Sequence, residues 1–257
     1  MPHTPQTPLS VGKIGHYPFL AEPFHVDFSG RLPISVLGNQ LLNAADFHSK
    51  ERGFGIPFLQ AHNCTWVLSR LAIEIIQLPE QYEEYIIDTW VEDVFRLFTS
   101  RNFCVRRPDG TPIAYARSIW AMIDLTTRKP LDLIALHGNE LSEYICPEEP
   151  CPIEKPSRIQ LKEGKDMLTY TPRYSDIDIN GHFNSIKYME HALNLFPIDH
   201  FRTRSVKRFE MAYVAESYAG DTLNFYLDRP APDEYCIEIK KNADEVVCRS
   251  KIQFREI

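Results

Sequence analysis

One order of elements occurs twice along this chain, and that repeat limits the fold more than any single motif does. In the first half, the pattern predicts a β-like segment at 24–28 and then a helix over 35–52. Leu37, Leu41, Ala44, Ala45 and His48 lie along one face of that helix. Ser35 is its expected N-cap, and Gly53 and Gly55 are expected to end it. Four β-like runs follow at 65–77, 85–98, 101–107 and 111–124, the last two joined by the turn signal Pro108-Asp109-Gly110. In the fourth run, the alternation Ile113, Tyr115, Arg117, Ile119, Ala121, Ile123 predicts one buried face. The second half repeats the order. A β-like segment at 169–174 precedes a helix over 181–196, with an apolar stripe of Phe183, Ile186, Met189, Leu193 and Phe196. Pro197 stops that helix, and β-like runs follow at 206–214, 222–228, 234–241 and 245–255.

Between the halves, residues 129–166 carry five prolines, many charges and little periodicity, as expected of a linker on the surface. The expected organisation is therefore a first unit at 1–128, the linker, and a second unit at 167–257. A strongly curved antiparallel sheet wrapped around one long helix is an economical way to bury such a helix. Two copies sharing a continuous sheet leave fewer open edges. The fold class predicted is α+β, a double hotdog.

The 257 residues carry 28 Lys+Arg against 35 Asp+Glu, a net charge of −7, which argues against a general nucleic-acid surface. No apolar run approaches the ~20 residues that span a bilayer. The opening MPHTPQTPLSVG lacks both the basic-then-apolar pattern of a secretory signal and the Arg-rich character of a transit peptide. A cytoplasmic chain is the expectation. The six cysteines are scattered, with no CxxC pair and no zinc-ligand spacing, so they are expected to be reduced and structural. Cys146 and Cys151 bracket a Pro/Glu loop and are the one pair placed to join on oxidation.

The densest polar cluster is Ser175-Asp176-Ile177-Asp178-Ile179-Asn180-Gly181-His182-Phe183-Asn184-Ser185, at the expected start of the second helix. Its opening matches a calcium loop, but position twelve is Lys187 where a bidentate Glu is needed. Helix capping accounts for one or two of these polar residues. A hydrolytic site accounts for more of them: a carboxylate and an imidazole can hold and deprotonate water, and free N–H groups at a helix start can polarise a carbonyl. Aligning Phe28-Ser29 with Tyr174-Ser175 sets Leu32, Ile34 and Val36 opposite Asp178, Asn180 and His182. On that alignment, one half is apolar where the other is polar.

The run from Asp176 to Tyr188 resembles the DxDxNxHxNNxKY motif of the acyl-acyl carrier protein thioesterases, the plant fatty-acyl thioesterases and their bacterial relatives. It departs at Ser185, where the motif has a second Asn. Asp88-Thr89-Trp90 and Ala219-Gly220-Asp221-Thr222-Leu223 are also similar to segments of that family. The resemblance implies hydrolysis of the thioester between a fatty acyl chain and the phosphopantetheine arm of acyl carrier protein. It implies catalytic roles for Asp178, Asn180, His182 and Glu216. Plant members often carry Cys directly after that Glu; here Ser217 stands there, which favours a water mechanism. The lack of a plant-type transit segment points to a bacterial-like member.

Glu216 or Asp178 is then the expected base, with attack by Asp178 itself as an alternative. Because carrier protein is acidic, the basic stretch from His200 to Arg208, with Arg202 and Arg204, is the expected docking face. The acyl tunnel is expected against the first helix near Leu37, Leu41, Leu42 and Ala45. An acyl-CoA thioesterase, a hydratase and a non-catalytic acyl-binding protein stay open. No metal, nucleotide or flavin pattern occurs, so no cofactor is expected, and the oligomeric state, a homodimer included, is left open.

Overall fold

The computed structural model describes residues 12–137, 141–242 and 244–257, with the side chains of His137, Leu141 and Ser142 left aside. The opening segment 1–11, read above for targeting signals, lies outside the described residues, as do three linker residues. Strand β1 (Gly15–Leu20) is followed by helices α1 (Ile34–Glu51) and α2 (Ile56–Ala61), then strands β2 (Cys64–Ile75), β3 (Glu84–Val94), β4 (Thr99–Arg106) and β5 (Pro112–Asp124). A short helix α3 (Leu133–His137) opens the connection to the second half. There β6 (Lys165–Tyr170), α4 (Ser185–Leu193) and α5 (Ile198–Thr203) precede β7 (Arg204–Tyr213), β8 (Leu223–Ala231), β9 (Glu234–Lys241) and β10 (Glu245–Glu256).

All ten strands form one sheet in the order β1-β3-β4-β5-β2-β7-β10-β9-β8-β6. The halves are thus mirror-ordered about the antiparallel β2–β7 seam, and the shared sheet of a double hotdog is what the repeat called for. α1 packs against the first half-sheet with Leu37, Leu41 and Ala44 fully buried, facing Tyr85, Ile87 and Phe103. The two main helices meet at Gly38, where an added Cβ would lie 3.3 Å from both Ile186 Cδ1 and Met189 Cε. Gly38→Val is expected to lower stability by about 1–3 kcal/mol through overpacking. The check is a reduced denaturant midpoint at unchanged slope; an unmoved midpoint would show that the crossing yields freely.

Several sequence expectations shift. The segment 24–28 is not a strand, and Phe24 is fully exposed; β1 takes the outer position instead, at the sheet edge where Pro18 is tolerated. α1 is entered at Pro33 with no side-chain cap, so Ser35 sits inside the first turn. The second helix begins at Ser185 rather than at 181, because Asn184 caps it by accepting from Ile186 N at 2.8 Å. On β5 it is Ala114, Ala116, Ser118 and Trp120 that face α1, in register with inward-facing Phe103 and Arg101. The Tyr115 and Arg117 face lies under the linker.

That linker is held down rather than loose. Arg117 donates to Ile153 O and Cys151 O, both at 2.8 Å, and Trp90 Nε1 donates to Glu149 O at 3.0 Å. Cys146, Cys151 and Ile153 are buried there against Trp90. Low periodicity hid this because the segment is anchored mainly through its backbone carbonyls. All six cysteines are free thiols.

Candidate functional site

The polar cluster folds as a tight turn ahead of α4. Asp178 Oδ1 accepts from Asn180 N at 2.8 Å and from His182 N at 3.1 Å. Asp178 N donates to His182 O at 2.8 Å, and Gly181 N donates to Asp178 O at 3.0 Å. Gly181 takes φ +79°, the left-handed conformation that suits glycine. Phe183 N then donates to Ser217 O at 2.7 Å, which fixes this turn beside Glu216. His182 Nδ1 lies 3.6 Å from Glu216 Oε1.

Glu216 is held from three sides. Arg128 pairs with its Oε1, Tyr218 OH donates to Oε2 at 2.9 Å, and Lys241 Nζ donates to its backbone oxygen at 2.8 Å. The Tyr218 ring also meets His182 edge-on at 5.2 Å. Arg128 comes from the other half, 88 residues away, in a left-handed backbone conformation of φ +58°. The seam brings it there: Arg70 pairs with Ala212, so the start of β2 runs past the end of β7, and Cys64 of β2 pairs with Asp124 of β5.

Asp178, Asn180, His182 and Glu216 all line one cavity of about 810 Å³. The first half supplies its opposite wall, with Asn39 and Asn43 of α1, Trp66 of β2 and Trp120 of β5. A second, more apolar cavity of about 310 Å³ shares Leu42, Trp66, Trp120 and Asn180 with it and runs on along α1 past Ala45. Of the residues expected to line a tunnel, Leu42 and Ala45 do so; Leu37 and Leu41 are fully buried in the core instead.

Other motif residues serve the frame. Asp176 is buried, accepting from Tyr170 OH at 2.6 Å and Arg173 N at 2.7 Å. Burial alone would raise its carboxyl, but these bonds and nearby His191 and Lys187 outweigh burial and hold it below the usual carboxylate range. Ser217 does not line the cavity; it is buried and accepts from Tyr188 OH at 2.8 Å. At the helix start Ile186 N is taken by Asn184, while Ser185, which lines the cavity, has no acceptor for its N–H among the described residues. Arg202 and Arg204 do not line it: Arg202 pairs with Asp199 at 3.1 Å and lies over Phe28, and Arg204 pairs with Asp233. Among the described residues, no group of three or more His, Cys, Asp or Glu is arranged to hold a metal ion.

The structure also corrects the internal alignment. The turn at Asp178 has a close copy at Asp27, five places from the register read off the sequence. Ser29 N donates to Asp27 Oδ1 at 2.8 Å, Gly30 N to Asp27 O at 2.9 Å, and Asp27 N to Arg31 O at 2.9 Å. Gly30 likewise has positive φ, and Leu32 N donates to Pro79 O at 2.8 Å as Phe183 N does to Ser217 O. Asp178, Asn180, His182 and Glu216 therefore stand opposite Asp27, Ser29, Arg31 and Leu78. The Asp and its turn are architectural in both halves; the imidazole and the second carboxylate belong to one. The visible signal was Asp27-x-Ser29-Gly30 against Asp178-x-Asn180-Gly181. Nothing local marked Arg128, Tyr218, Asn39 or Asn43, whose place depends on strand pairing.

This copy sets up a paired test. Asp27→Ala and Asp178→Ala are each expected to lower stability by about 1 kcal/mol, as loss of a local side-chain acceptor does. Turnover should fall only with Asp178. Equal loss in both variants would reduce Asp178 to a turn residue.

Residues 18–135 match the family described as acyl-ACP thioesterase N-terminal domain, and residues 159–256 match the acyl-ACP thioesterase C-terminal domain. A crystal structure of an acyl-ACP thioesterase from Bacteroides thetaiotaomicron is 60% identical, covers 95% of this chain and 98% of its own, and superposes with a TM-score of 0.89. The 12:0-ACP thioesterase from Umbellularia californica shares the fold at 18% identity and a TM-score of 0.81, covering 96% of this chain and 98% of its own. The chloroplastic oleoyl-acyl carrier protein thioesterase 2 of Arabidopsis thaliana is 24% identical over 84% of this chain, which spans 63% of that relative's length. On these matches, the chain belongs to the acyl-ACP thioesterase family.

Proposed function

We propose that this chain hydrolyses fatty acyl-acyl carrier protein thioesters to free fatty acid and carrier protein, in the cytoplasm and without a cofactor. The observation that carries the reading is the asymmetry of the repeat. His182 and Glu216 meet over a cavity built by both halves, while Arg31 and Leu78 occupy the matching places. The first unit, 1–128, holds the acyl chain, and the second, 167–257, supplies the chemistry.

In this reading, water held between Glu216 and His182 attacks the thioester carbonyl carbon, and Glu216 accepts the water proton. The charge that develops on the carbonyl oxygen is met by N–H donors at the α4 start, with Ser185 N, which has no acceptor among the described residues, able to donate. The C–S bond then breaks, and the departing sulfur takes the proton back from Glu216. Asn180, exposed at the mouth with no hydrogen bond to its side chain among the described residues, orients the substrate. Arg128 and Tyr218 fix the Glu216 carboxylate. Arg128, which lines the cavity, and Lys241, which reaches Glu216 O, put two cations beside the mouth for an acidic carrier to meet.

The test is thiol release from acyl-carrier protein and from acyl-CoA at matched chain lengths. Carrier-preferring hydrolysis supports the reading. Equal turnover makes the chain a general acyl thioesterase, and no turnover on either leaves an acyl-binding scaffold.

A further inference from the structure

The far end of the apolar cavity carries charge. α1 lines the path from Asn39 at the His182 end to Arg52 at the far end, thirteen residues or ~20 Å of helix. There the cavity is walled by Arg101, Arg52 and His48, all more than nine-tenths buried. Arg101 points inward from β4, and its only side-chain partner among the described residues is Thr89 Oγ, at 3.2 Å from Nη1. It has no carboxylate partner there. Burial, and then repulsion from Arg52, lowers its guanidinium to about 10, so it stays charged at neutral pH.

The neighbours do not relieve it. Arg52 is spent elsewhere: it donates to His48 O at 2.9 Å and to Gly12 O, its Nη1 lies 3.5 Å from Glu51 Oε2, and its Nε is buried without a partner among the described residues. His48 Nε2 faces Lys13 O at 3.1 Å, which makes that nitrogen the donor. Its Nδ1 is then an acceptor, buried with no donor among the described residues. Burial, with Arg101 and Arg52 adding to it, holds the ring far below its ordinary value and therefore neutral. Arg52 Nε and His48 Nδ1 are both sealed from solvent, so Arg101 is the group of the three left to meet the cavity.

We propose that Arg101, with Arg52 and His48 beside it, forms a hydrated polar end wall that sets the upper length of the acyl chain. The inference rests on the thioesterase reading above. Groups of this kind take water, and a methyl end that displaces such water cannot replace its hydrogen bonds. A chain that stops short leaves the wall hydrated and is accepted. A chain that reaches it strips a buried charge and is refused. The wall thus acts by chemistry as well as by volume, and a chain whose far end carries a hydroxyl keeps the bonds and passes.

The experiment measures kcat/KM over an even-numbered series of acyl-carrier thioesters, for the wild-type chain and for Arg101→Met, which keeps most of the volume and removes the charge. The variant is expected to gain about tenfold or more on the first chain length that the wild-type chain refuses, with shorter chains little changed. Arg101→Lys should keep the wild-type limit. In the wild-type chain, which needs no variant to fold, the ω-hydroxylated form of that refused length should be hydrolysed faster than the methyl-ended form. An unmoved limit in Arg101→Met, or no advantage for the ω-hydroxyl chain, overturns the polar wall. Absence of turnover on every thioester defeats the thioesterase reading instead. The wall is then read from calorimetric affinities for the same free fatty acids, where the same reversal is required.

Discussion

Glu216→Gln is expected to lower kcat on acyl-carrier thioesters by about 10²–10⁴-fold, the range of a positioned general base. KM and stability should move little. The amide keeps the shape and can still accept from Tyr218, whose hydroxyl now lies 2.9 Å from Oε2. What it loses is the charge that faces Arg128 and the capacity to take a proton from water held beside His182, whose Nδ1 lies 3.6 Å from Glu216 Oε1. Arg128 is 41% exposed, so its lost ion pair is screened by solvent and contributes little to folding. Stopped assays of thiol release, beside a denaturation curve, separate the two effects. Activity within threefold of wild type would move the base to Asp178. Both carboxylates are engaged, Asp178 by two backbone N–H groups of its own turn and Glu216 by Arg128 and Tyr218; Glu216 is the stronger candidate because its Oε1 lies 3.6 Å from His182 Nδ1 in the cavity.

The largest loss of stability is expected from Arg208→Met. At the seam, Glu74 pairs with Arg208 and Ala72 with Glu210 across β2 and β7. Arg208 donates to Glu210 Oε1 at 2.8 Å, Glu74 Oε2 at 2.9 Å and the linker's Glu154 O at 2.9 Å. Glu210 in turn accepts from Ser157 N at 2.6 Å and Ser157 Oγ at 2.8 Å. One buried network thus ties both halves and the linker together. Removing Arg208 leaves Glu210, itself 3% exposed, as a buried charge without its cation. The expected cost is about 3–5 kcal/mol, and the double variant Arg208→Met/Glu210→Leu should lose less than the single one. Both are read from urea unfolding. A double variant as unstable as the single would mean that the linker contacts, rather than the ion pair, carry the effect.

Much of this protein was legible before any coordinates. Period-two and helical patterns located α1 and eight of the ten strands closely, because each element buries one face and writes that face into its own residues; the segment read at 169–174 meets β6 (Lys165–Tyr170) only at its last two residues. β1 escaped because an edge strand with Pro18 lacks the pattern. The Asp178–His182 cluster was visible for the same local reason: a turn needs its glycine and its side-chain acceptor within a few residues of each other. What local pattern could not express is pairing between distant strands. The meeting of Arg128 with Glu216, the inward turn of Arg101, and the use of the Asp178 turn as a copy of the Asp27 turn all follow from the β2–β7 seam and strand register. A register is a choice among partners far apart in the chain, made by the whole core at once. Sequence determined which elements form and where polar chemistry is dense; only the closed sheet decided which of those residues face one another.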